Sequence, residues 1–233
     1  MNELVIILAA ILPGLVLGIY IWKRDPKPEP TFLLLKAAIY GALICIPIVI
    51  VESILGNLFF GVDGSPTSLI GTIVEAFGIA AIPEEAFKLL ALWLLLKNNS
   101  YYDEHFDGIV YAVCIGLGFA TTENLLYLFA NIDNWQSVAF TRALLAVPAH
   151  YIFAILMGYY YSVYHFVNHS KENLVLILFA PVLAHGAYDT LALAGGVEPA
   201  LGSTFAFILI YLCIKMHKLA QEKVIKLIEK DKN

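Results

Sequence analysis

Long apolar segments constrain this chain most, because seven of them are each long enough to cross a lipid bilayer. A helix needs about 20 mainly apolar residues to span the hydrocarbon core of a membrane. The seven candidate segments are residues 4–22, 33–52, 69–96, 107–130, 139–166, 173–194 and 200–217. Only 14% of the 233 residues are charged and 60% are hydrophobic, whereas a soluble domain is about 25% charged. The sequence therefore predicts an all-α, polytopic membrane helix bundle of about seven transmembrane helices.

The basic residues predict the orientation of this bundle, since cytoplasmic loops of membrane proteins are enriched in Lys and Arg. Basic residues follow the first and third segments, precede the sixth, and recur after residue 217. The intervening loops, residues 53–68, 131–138 and 195–199, contain neither Lys nor Arg. We therefore predict that the N-terminus is outside the cell and the C-terminus is in the cytoplasm.

The chain is expected to form one transmembrane domain over residues 1–217, followed by a basic cytoplasmic tail over residues 218–233. Lys23 and Arg24 follow the first apolar segment rather than preceding it, so we expect a retained helix and not a signal peptide. Lysines alternate with apolar residues in the tail. This pattern predicts either an amphipathic helix on anionic lipid or a solvated extension of the seventh helix.

Two classes of site are not expected. The three cysteines, Cys45, Cys114 and Cys213, lie in or beside apolar segments without C-x-x-C spacing. That placement is typical of small buried residues rather than of disulfides or a zinc knuckle. The chain also has no nucleotide-binding glycine loop, and we expect no nucleic-acid partner.

A pair of glutamates, Glu84 and Glu85, is the strongest functional signal, because it lies inside the third apolar segment. A carboxylate within a membrane span costs roughly 2.5–3.5 kcal/mol on insertion scales. Adjacent side chains lie about 100° apart around a helix, so only one of the two can point directly into a cavity. Lys88 lies one turn later, and we expect it to pair with the other glutamate. Pro83 predicts a kink directly before the pair.

Three more segments carry polar residues near their middles. These residues are Glu123 and Asn124 in the fourth segment, His150 in the fifth, and His185 and Asp189 in the sixth. His185 and Asp189 are four residues apart and therefore lie on one face of a helix. Any one of these residues could simply bridge two helices by a hydrogen bond. Their occurrence on successive segments predicts a shared intramembrane site.

Carboxylates and histidines, without a serine or cysteine nucleophile in a suitable setting, favour hydrolysis by an activated water molecule. A desolvated carboxylate can act as a general base, and a histidine can stabilise an oxyanion. The candidate catalytic residues are Glu84, Glu85, Glu123, His150 and His185. The candidate supporting residues are Lys88, Asn124 and Asp189. This chemistry requires no cofactor, but Zn²⁺ stays open as an alternative, because three ligands could come from the five catalytic candidates although H-E-x-x-H is absent.

In their order and spacing these residues resemble the PrsW intramembrane proteases. The matching motifs are Glu84-Glu85-Ala86-Phe87-Lys88, Phe119-Ala120-Thr121-Thr122-Glu123-Asn124, His150, and His185-Gly186-Ala187-Tyr188-Asp189. The resemblance covers about residues 79–191, and the catalytic helices would be those of about residues 69–194. It implies a multi-pass endopeptidase of the bacterial plasma membrane. Its substrate would be a single-span membrane protein in the lipid bilayer, cut in the manner of site-1 cleavage of an anti-sigma factor.

The resemblance also implies roles for single residues. A carboxylate of the glutamate pair would activate water, with Glu84 preferred, and His185 would assist at the oxyanion while Asp189 orients it. The wider superfamily includes the CAAX prenyl endopeptidases, in which a histidine stands where this chain has Glu123. That difference favours PrsW, and His150 would then polarise the water molecule.

Two other functions fit parts of the pattern. The Aph-type subunit of gamma-secretase is a distant relative that acts as a scaffold, but a catalytically dead relative would be expected to lose the glutamate pair. A proton-coupled transporter would also use intramembrane acids and histidines. Transporters commonly show inverted repeats and paired broken helices, whereas this sequence shows no repeat and one clear break, at Pro83.

Overall fold

The computed structural model describes residues 3–62 and 64–232, and this part of the chain forms helices without any β-strand. The α-helices are α1 (Glu3–Trp22), α2 (Thr31–Phe60), α3 (Leu69–Ile73), α4 (Ile82–Leu96), α5 (Asp107–Ala130), α6 (Trp135–Thr141), α7 (Val147–Ser162), α8 (Lys171–Val197) and α9 (Gly202–Asp231). Wider π-helical turns cover Val74–Ala81, Arg142–Ala146 and Val163–Val167, and short 3₁₀ turns cover Ile132–Asn134 and Pro199–Leu201. The predicted all-α class is confirmed.

Six helical segments within the described residues are long and apolar enough to cross a membrane, which confirms a polytopic membrane protein. They are Glu3–Trp22, Thr31–Phe60, Asp107–Ala130, Ile132–Val167, Lys171–Val197 and Pro199–Asp231. The third predicted span, residues 69–96, is also helical throughout but is absent from this set. It carries Glu75 as well as the Glu84–Glu85 pair and Lys88, so its composition alone does not mark it as a span.

The break predicted at Pro83 takes the form of a change in helix type. Residues Val74–Ala81 form a π-helical stretch, and α4 begins at Ile82 with Pro83 in its first turn. Proline lacks a backbone N–H and cannot make the usual bond to the preceding turn. π-Helical turns are frequent at functional sites. This one leads directly into the glutamate pair.

Helices α5 and α7 form the centre of the bundle, while α1 lies at its edge. Thirteen of the sixteen residues of α7 are buried, but only four of the twenty in α1. The exposed side chains of α1 include Leu4, Leu8 and Leu12. An apolar helix that is exposed on most of its surface suits contact with lipid, whereas α7 is enclosed by protein.

Glycines let the central helices approach one another closely. A Cβ atom at Gly41 of α2 would overlap the backbone carbonyl of Ile115 in α5. A Cβ atom at Gly158 of α7 would likewise overlap the carbonyl of Gly108 in α5. Small residues at such contacts allow membrane helices to pack backbone to backbone. Helix α5 is therefore held tightly between α2 and α7.

The loops with most of the basic residues gather at one end of the bundle, together with the end of α9. Arg24 Nη1 donates to Gln221 Oε1 at 2.5 Å. The backbone amides of His105 and Phe106 donate to the carboxylate of Asp231 at 2.9 and 2.8 Å. These contacts tie three separate chain segments together. That this end faces the cytoplasm stays a prediction.

The predicted tail is a continuous extension of the last helix, since α9 runs on to Asp231. One face of the extension is packed on the bundle, because Ala220, Val224 and Leu227 are fully buried. The tail is therefore helical and joined to the last span, and whether its other face meets anionic lipid or water stays a prediction. Residue 233 lies outside the described residues.

The close contact at Gly41 predicts a difference between two glycines of the same helix. Gly41→Ala should destabilise the protein by about 1–3 kcal/mol, because the new methyl group forces α2 away from α5. Gly56→Ala meets no atom within 4 Å and should leave stability unchanged or raise it by up to about 1 kcal/mol. Thermal unfolding of both variants in detergent measures the difference. Equal unfolding temperatures would show that α2 and α5 are not packed as described.

Candidate active site

The five candidate catalytic residues lie together, on α4, α5, α7 and α8. Glu84, Glu85, His150 and His185 are buried, and Glu123 is partly buried. The structure thus brings into one cluster the groups that the sequence placed on successive segments. Their catalytic role stays a prediction.

Lys88 lies at the centre of the cluster and pairs with both glutamates. Its Nζ is 2.9 Å from Glu84 Oε2 and 2.8 Å from Glu85 Oε1, so the expectation that it pairs with only one of them was wrong. The side chain is long enough to reach both carboxylates from the next helical turn. The ammonium also lies 4.2 Å from the centre of the Phe119 ring, where a cation–π contact adds attraction.

The contacts of His150 fix which of its nitrogens carries the proton. Nδ1 is 3.4 Å from Lys88 Nζ, and Nε2 is 3.0 Å from Glu123 Oε2. An ammonium can only donate, so Nδ1 accepts and Nε2 donates its proton to Glu123. His150 therefore presents the lone pair of Nδ1 to the centre of the cluster.

His185 is held between two carboxylates. Its Nδ1 is 2.9 Å from Glu85 Oε1, and its Nε2 is 3.1 Å from Asp189 Oδ2. Ionised carboxylates only accept hydrogen bonds, so this arrangement favours an imidazolium that donates from both nitrogens. The ring stacks on Phe153 with the ring centres 4.7 Å apart, which fixes its plane. Nε2 also lies 3.9 Å from Glu84 Oε2.

Arg142 also belongs to the site, although it lies outside the motifs that predicted the site. Its Nη2 donates to Glu123 Oε2 at 2.5 Å, and its Nε donates to Asn124 Oδ1 at 2.6 Å. The guanidinium also lies over the Tyr127 ring, 4.1 Å from the centre. A lone arginine inside an apolar segment carries the same insertion penalty as the glutamates. That energetic cost could have identified Arg142 as a candidate site residue from the sequence.

A cavity of about 590 Å³ adjoins the cluster. The acidic, basic and histidine side chains that line it are Glu52, Glu75, Glu84, Glu123, Arg142, His150, His185 and Asp189. Glu85 is not among the lining residues, and its side chain is fully buried. The lining also includes Phe60 and Gly64, so the cavity extends toward the C-terminal end of α2 and the start of the connection to α3. Helix α2 continues to Phe60, beyond the predicted end of the second span at residue 52, and this end of the bundle lies away from the basic loops.

The cluster also has the composition of a metal site. Glu84, Glu85, His150 and His185 each offer one ligand atom, and the four atoms lie within 4.8 Å of one another. Glu85 Oε2 is buried and makes no hydrogen bond to any described residue. Imidazole nitrogens and carboxylate oxygens are common zinc ligands. These four residues therefore fit a metal ion, whereas Glu123, the fifth sequence candidate, is bound to Arg142 and His150.

Comparison with known proteins gives consistent matches along most of the chain. Residues 29–215 match the family described as PrsW family intramembrane metalloprotease. The chain is 37% identical to Protease PrsW of Oceanobacillus iheyensis over 185 residues, which cover 79% of this chain and 81% of that protein. Identity is 36% to Protease PrsW of Clostridioides difficile, covering 80% and 79% of the two chains, and 34% to that of Bacillus subtilis, covering 79% and 81%. No solved structure matches the chain.

The position of Lys88 predicts how stability depends on the charges of the cluster. Lys88→Met should destabilise the protein by about 3–5 kcal/mol, because two buried carboxylates then lack their counter-ion. The triple variant Glu84→Gln, Glu85→Gln, Lys88→Met removes the charges together and should be destabilised less than Lys88→Met alone. Thermal unfolding in detergent compares them. If the triple variant is the less stable, the ammonium is not the counter-ion of both glutamates.

Proposed function

The chain belongs to the PrsW family of intramembrane metalloproteases, and on that premise we propose that Glu84 activates the water molecule for peptide hydrolysis. The family assignment confirms the resemblance found in the sequence. It makes the chain a multi-pass membrane protein of bacterial type and an intramembrane endopeptidase that acts on a membrane protein. The family also favours this activity over a scaffold or a transporter.

The observation that supports Glu84 as the base is the difference in exposure between the two glutamates. Glu84 lines the cavity, whereas Glu85 is enclosed on all sides. A general base must lie within hydrogen-bond reach of the proton that it removes. A water molecule in the cavity can reach Glu84 but not Glu85. Glu85 then has a positioning role, since it holds Lys88 and His185.

The reaction follows from this arrangement. The water oxygen attacks the scissile carbonyl carbon while Glu84 takes the water proton. The carbonyl oxygen becomes an oxyanion, and His185 supplies positive charge next to Glu84, with Nε2 3.9 Å from Oε2. The C–N bond then breaks, and Glu84 returns its proton to the leaving amine. Asp189 orients His185 throughout.

A metal ion is compatible with this site, and the family description favours it over the metal-free alternative. Glu84, Glu85, His185 and Nδ1 of His150 would hold the ion. A bound zinc ion would make its water molecule more acidic and would polarise the scissile carbonyl. Lys88 contacts the same carboxylates, so its ammonium would compete with the ion for their oxygens.

The direction of the cavity bears on the substrate. Because the cavity extends from Glu84 toward Phe60 and Gly64, a peptide would enter from the end away from the basic loops. With the predicted orientation, this is the extracytoplasmic side. We therefore infer cleavage near that side of a single-span membrane protein, of the anti-sigma-factor type.

Substitution of Glu84 tests the proposed base. Glu84→Gln should lower cleavage of a single-span reporter by roughly 10²–10⁴-fold, the usual contribution of general acid–base catalysis. Reconstituted protein and gel analysis of the products measure the loss. Glu172→Gln is the matched control, because Glu172 is exposed in the first turn of α8, and it should keep full activity.

Two results would contradict this assignment. Full activity of folded Glu84→Gln would exclude Glu84 as the base. Loss of activity in Glu85→Gln alone, with both variants equally stable, would transfer the role to Glu85.

Removal of the metal ion tests the metal-assisted mechanism separately from the role of Glu84. A zinc chelator should abolish cleavage, and added Zn²⁺ should restore it. Elemental analysis should find about one zinc ion per chain in the parent protein and less in His150→Gln, because Nδ1 is then lost as a ligand. Zinc-free protein that stays active in chelator would establish the metal-free mechanism instead.

A further inference from the structure

A second acidic cluster lies at the opposite end of the bundle from the cavity mouth. It consists of Asp25 in the α1–α2 loop, Glu104 in the loop before α5, and Asp107 at the start of α5. One carboxylate oxygen from each residue lies within 4.8 Å of the other two. Asp107 and Glu123 are sixteen residues apart on α5, or roughly 24 Å along the helix. This second cluster is therefore separate from the candidate active site.

Each of the three carboxyl groups keeps one oxygen without a hydrogen-bond partner among the described residues. These oxygens are Asp25 Oδ2, Glu104 Oε2 and Asp107 Oδ1, and all three are buried. The side chains of Asp107 and Asp25 are buried as a whole, with 0% and 6% exposed, and that of Glu104 is partly buried. Buried polar atoms are nearly always paired. Three orphaned acceptors in one place indicate a missing donor or cation.

The remaining oxygens of two of these residues are already used. Asp25 Oδ1 accepts from the backbone amide of Lys27 at 3.0 Å. Asp107 Oδ2 accepts from the amides of Asp103 and Glu104 at 3.0 and 2.7 Å. These bonds hold the carboxyl groups in place and direct their second oxygens elsewhere. Asp25 and Asp107 are thus held in place before any ligand binds.

The nearby basic side chains are bound elsewhere. Lys27 Nζ lies 3.1 and 3.0 Å from the two carboxylate oxygens of Asp103, in an exposed pair. His105 Nδ1 lies 2.6 Å from Asp231 Oδ1. Burial raises the pKa of Asp25 to about 6, and the negative charge of Glu104 adds to the shift. When all three carboxyl groups are ionised they repel one another, and the charges of Lys27 and His105 offset only part of this at Glu104.

We propose that Asp25, Glu104 and Asp107 bind a hard divalent cation, Ca²⁺ or Mg²⁺, which ties the α1–α2 loop to the start of α5. The donors are all carboxylate oxygens, which such cations prefer. The three ligand oxygens lie within 4.8 Å of one another, so all three can reach one calcium ion at about 2.3–2.6 Å. Magnesium demands near-ideal octahedral geometry at about 2.0–2.1 Å and gives up its water molecules reluctantly. Calcium should bind more tightly.

Thermal unfolding of the full chain in detergent tests this site. After treatment with chelator and its removal, CaCl₂ should raise the unfolding temperature saturably, by roughly 3–6 °C at ten times its Kd. MgCl₂ should act at higher concentration, and NaCl of equal ionic strength should not reproduce the effect.

Charge-neutral variants should change the unfolding temperature in opposite directions, relative to the parent, without and with calcium. Asp25→Asn and Glu104→Gln remove one repelling charge each, so without cation they should unfold at the same or a higher temperature than the parent. With CaCl₂ they should lose at least most of the rise. Glu104 is only partly buried, so Glu104→Gln keeps the test available if Asp25→Asn does not fold.

Two controls separate this site from other sources of stabilisation. Glu172→Gln, at an exposed carboxylate, should keep the calcium response. His185→Gln should also keep it, because His185 belongs to the Glu/His cluster, and this result would exclude that cluster as the source of the response.

Three results would overturn the proposal. The first is no calcium effect beyond that of NaCl, and the second is an equal effect in the parent and Glu104→Gln. The third is an unfolding temperature that rises as the pH falls through about 6 but not with calcium. A carboxyl group whose pKa is raised on folding binds its proton more tightly in the folded state, so the third result would assign shared protons to the cluster.

Discussion

The buried ammonium of Lys88 is the contact on which the rest of the site depends. Removing a charge from water costs several kcal/mol, which only well-placed partners can offset. Lys88 has two carboxylates from its own helix, and it lies beside Phe119 of α5 and His150 of α7. Displacing α5 would remove the cation–π contact with Phe119, and displacing α7 would remove the hydrogen bond with His150, although both ion pairs within α4 would stay. The polar cluster thus helps to fix how the central helices pack. The close glycine contacts of α5 with α2 and α7 do the same through apolar packing.

Unequal surroundings distinguish two adjacent residues of identical chemistry. Glu85 is fully buried between Lys88 and His185, while Glu84 shares Lys88 but borders the cavity. The 100° rotation between neighbouring helix positions produces this difference. One carboxylate therefore stabilises the arrangement, and the other is available to water. On the proposed roles, this difference would account for two costly charges in one membrane helix instead of one.

Much of the fold and the cluster could be predicted from the sequence, because charges in apolar segments are rare and visible. The contacts that were missed depend on tertiary structure. The pairing of Lys88 with both glutamates depends on the rotamer of a long side chain. No amino-acid pattern distinguishes the π-helical turn before Pro83 from an ordinary α-helix. The packed face of α9 depends on its neighbours. Asp25 and Asp107 are eighty-two positions apart in the sequence, and no local pattern predicts that the α1–α2 loop and the start of α5 bring them together.

The charge balance of the cluster connects metal binding to the protonation of His185. Four carboxylates face the cluster, from Glu84, Glu85, Glu123 and Asp189, whereas Lys88 and Arg142 supply two permanent positive charges. An imidazolium at His185 supplies a third, and a divalent ion would supply two. Both supply positive charge next to Glu84, where the oxyanion would form. A metal ligand must give a lone pair, so His185 can bind a metal only after it releases a proton and one of its two carboxylate partners. Metal binding and the doubly hydrogen-bonded imidazolium are therefore alternative states of the same residue.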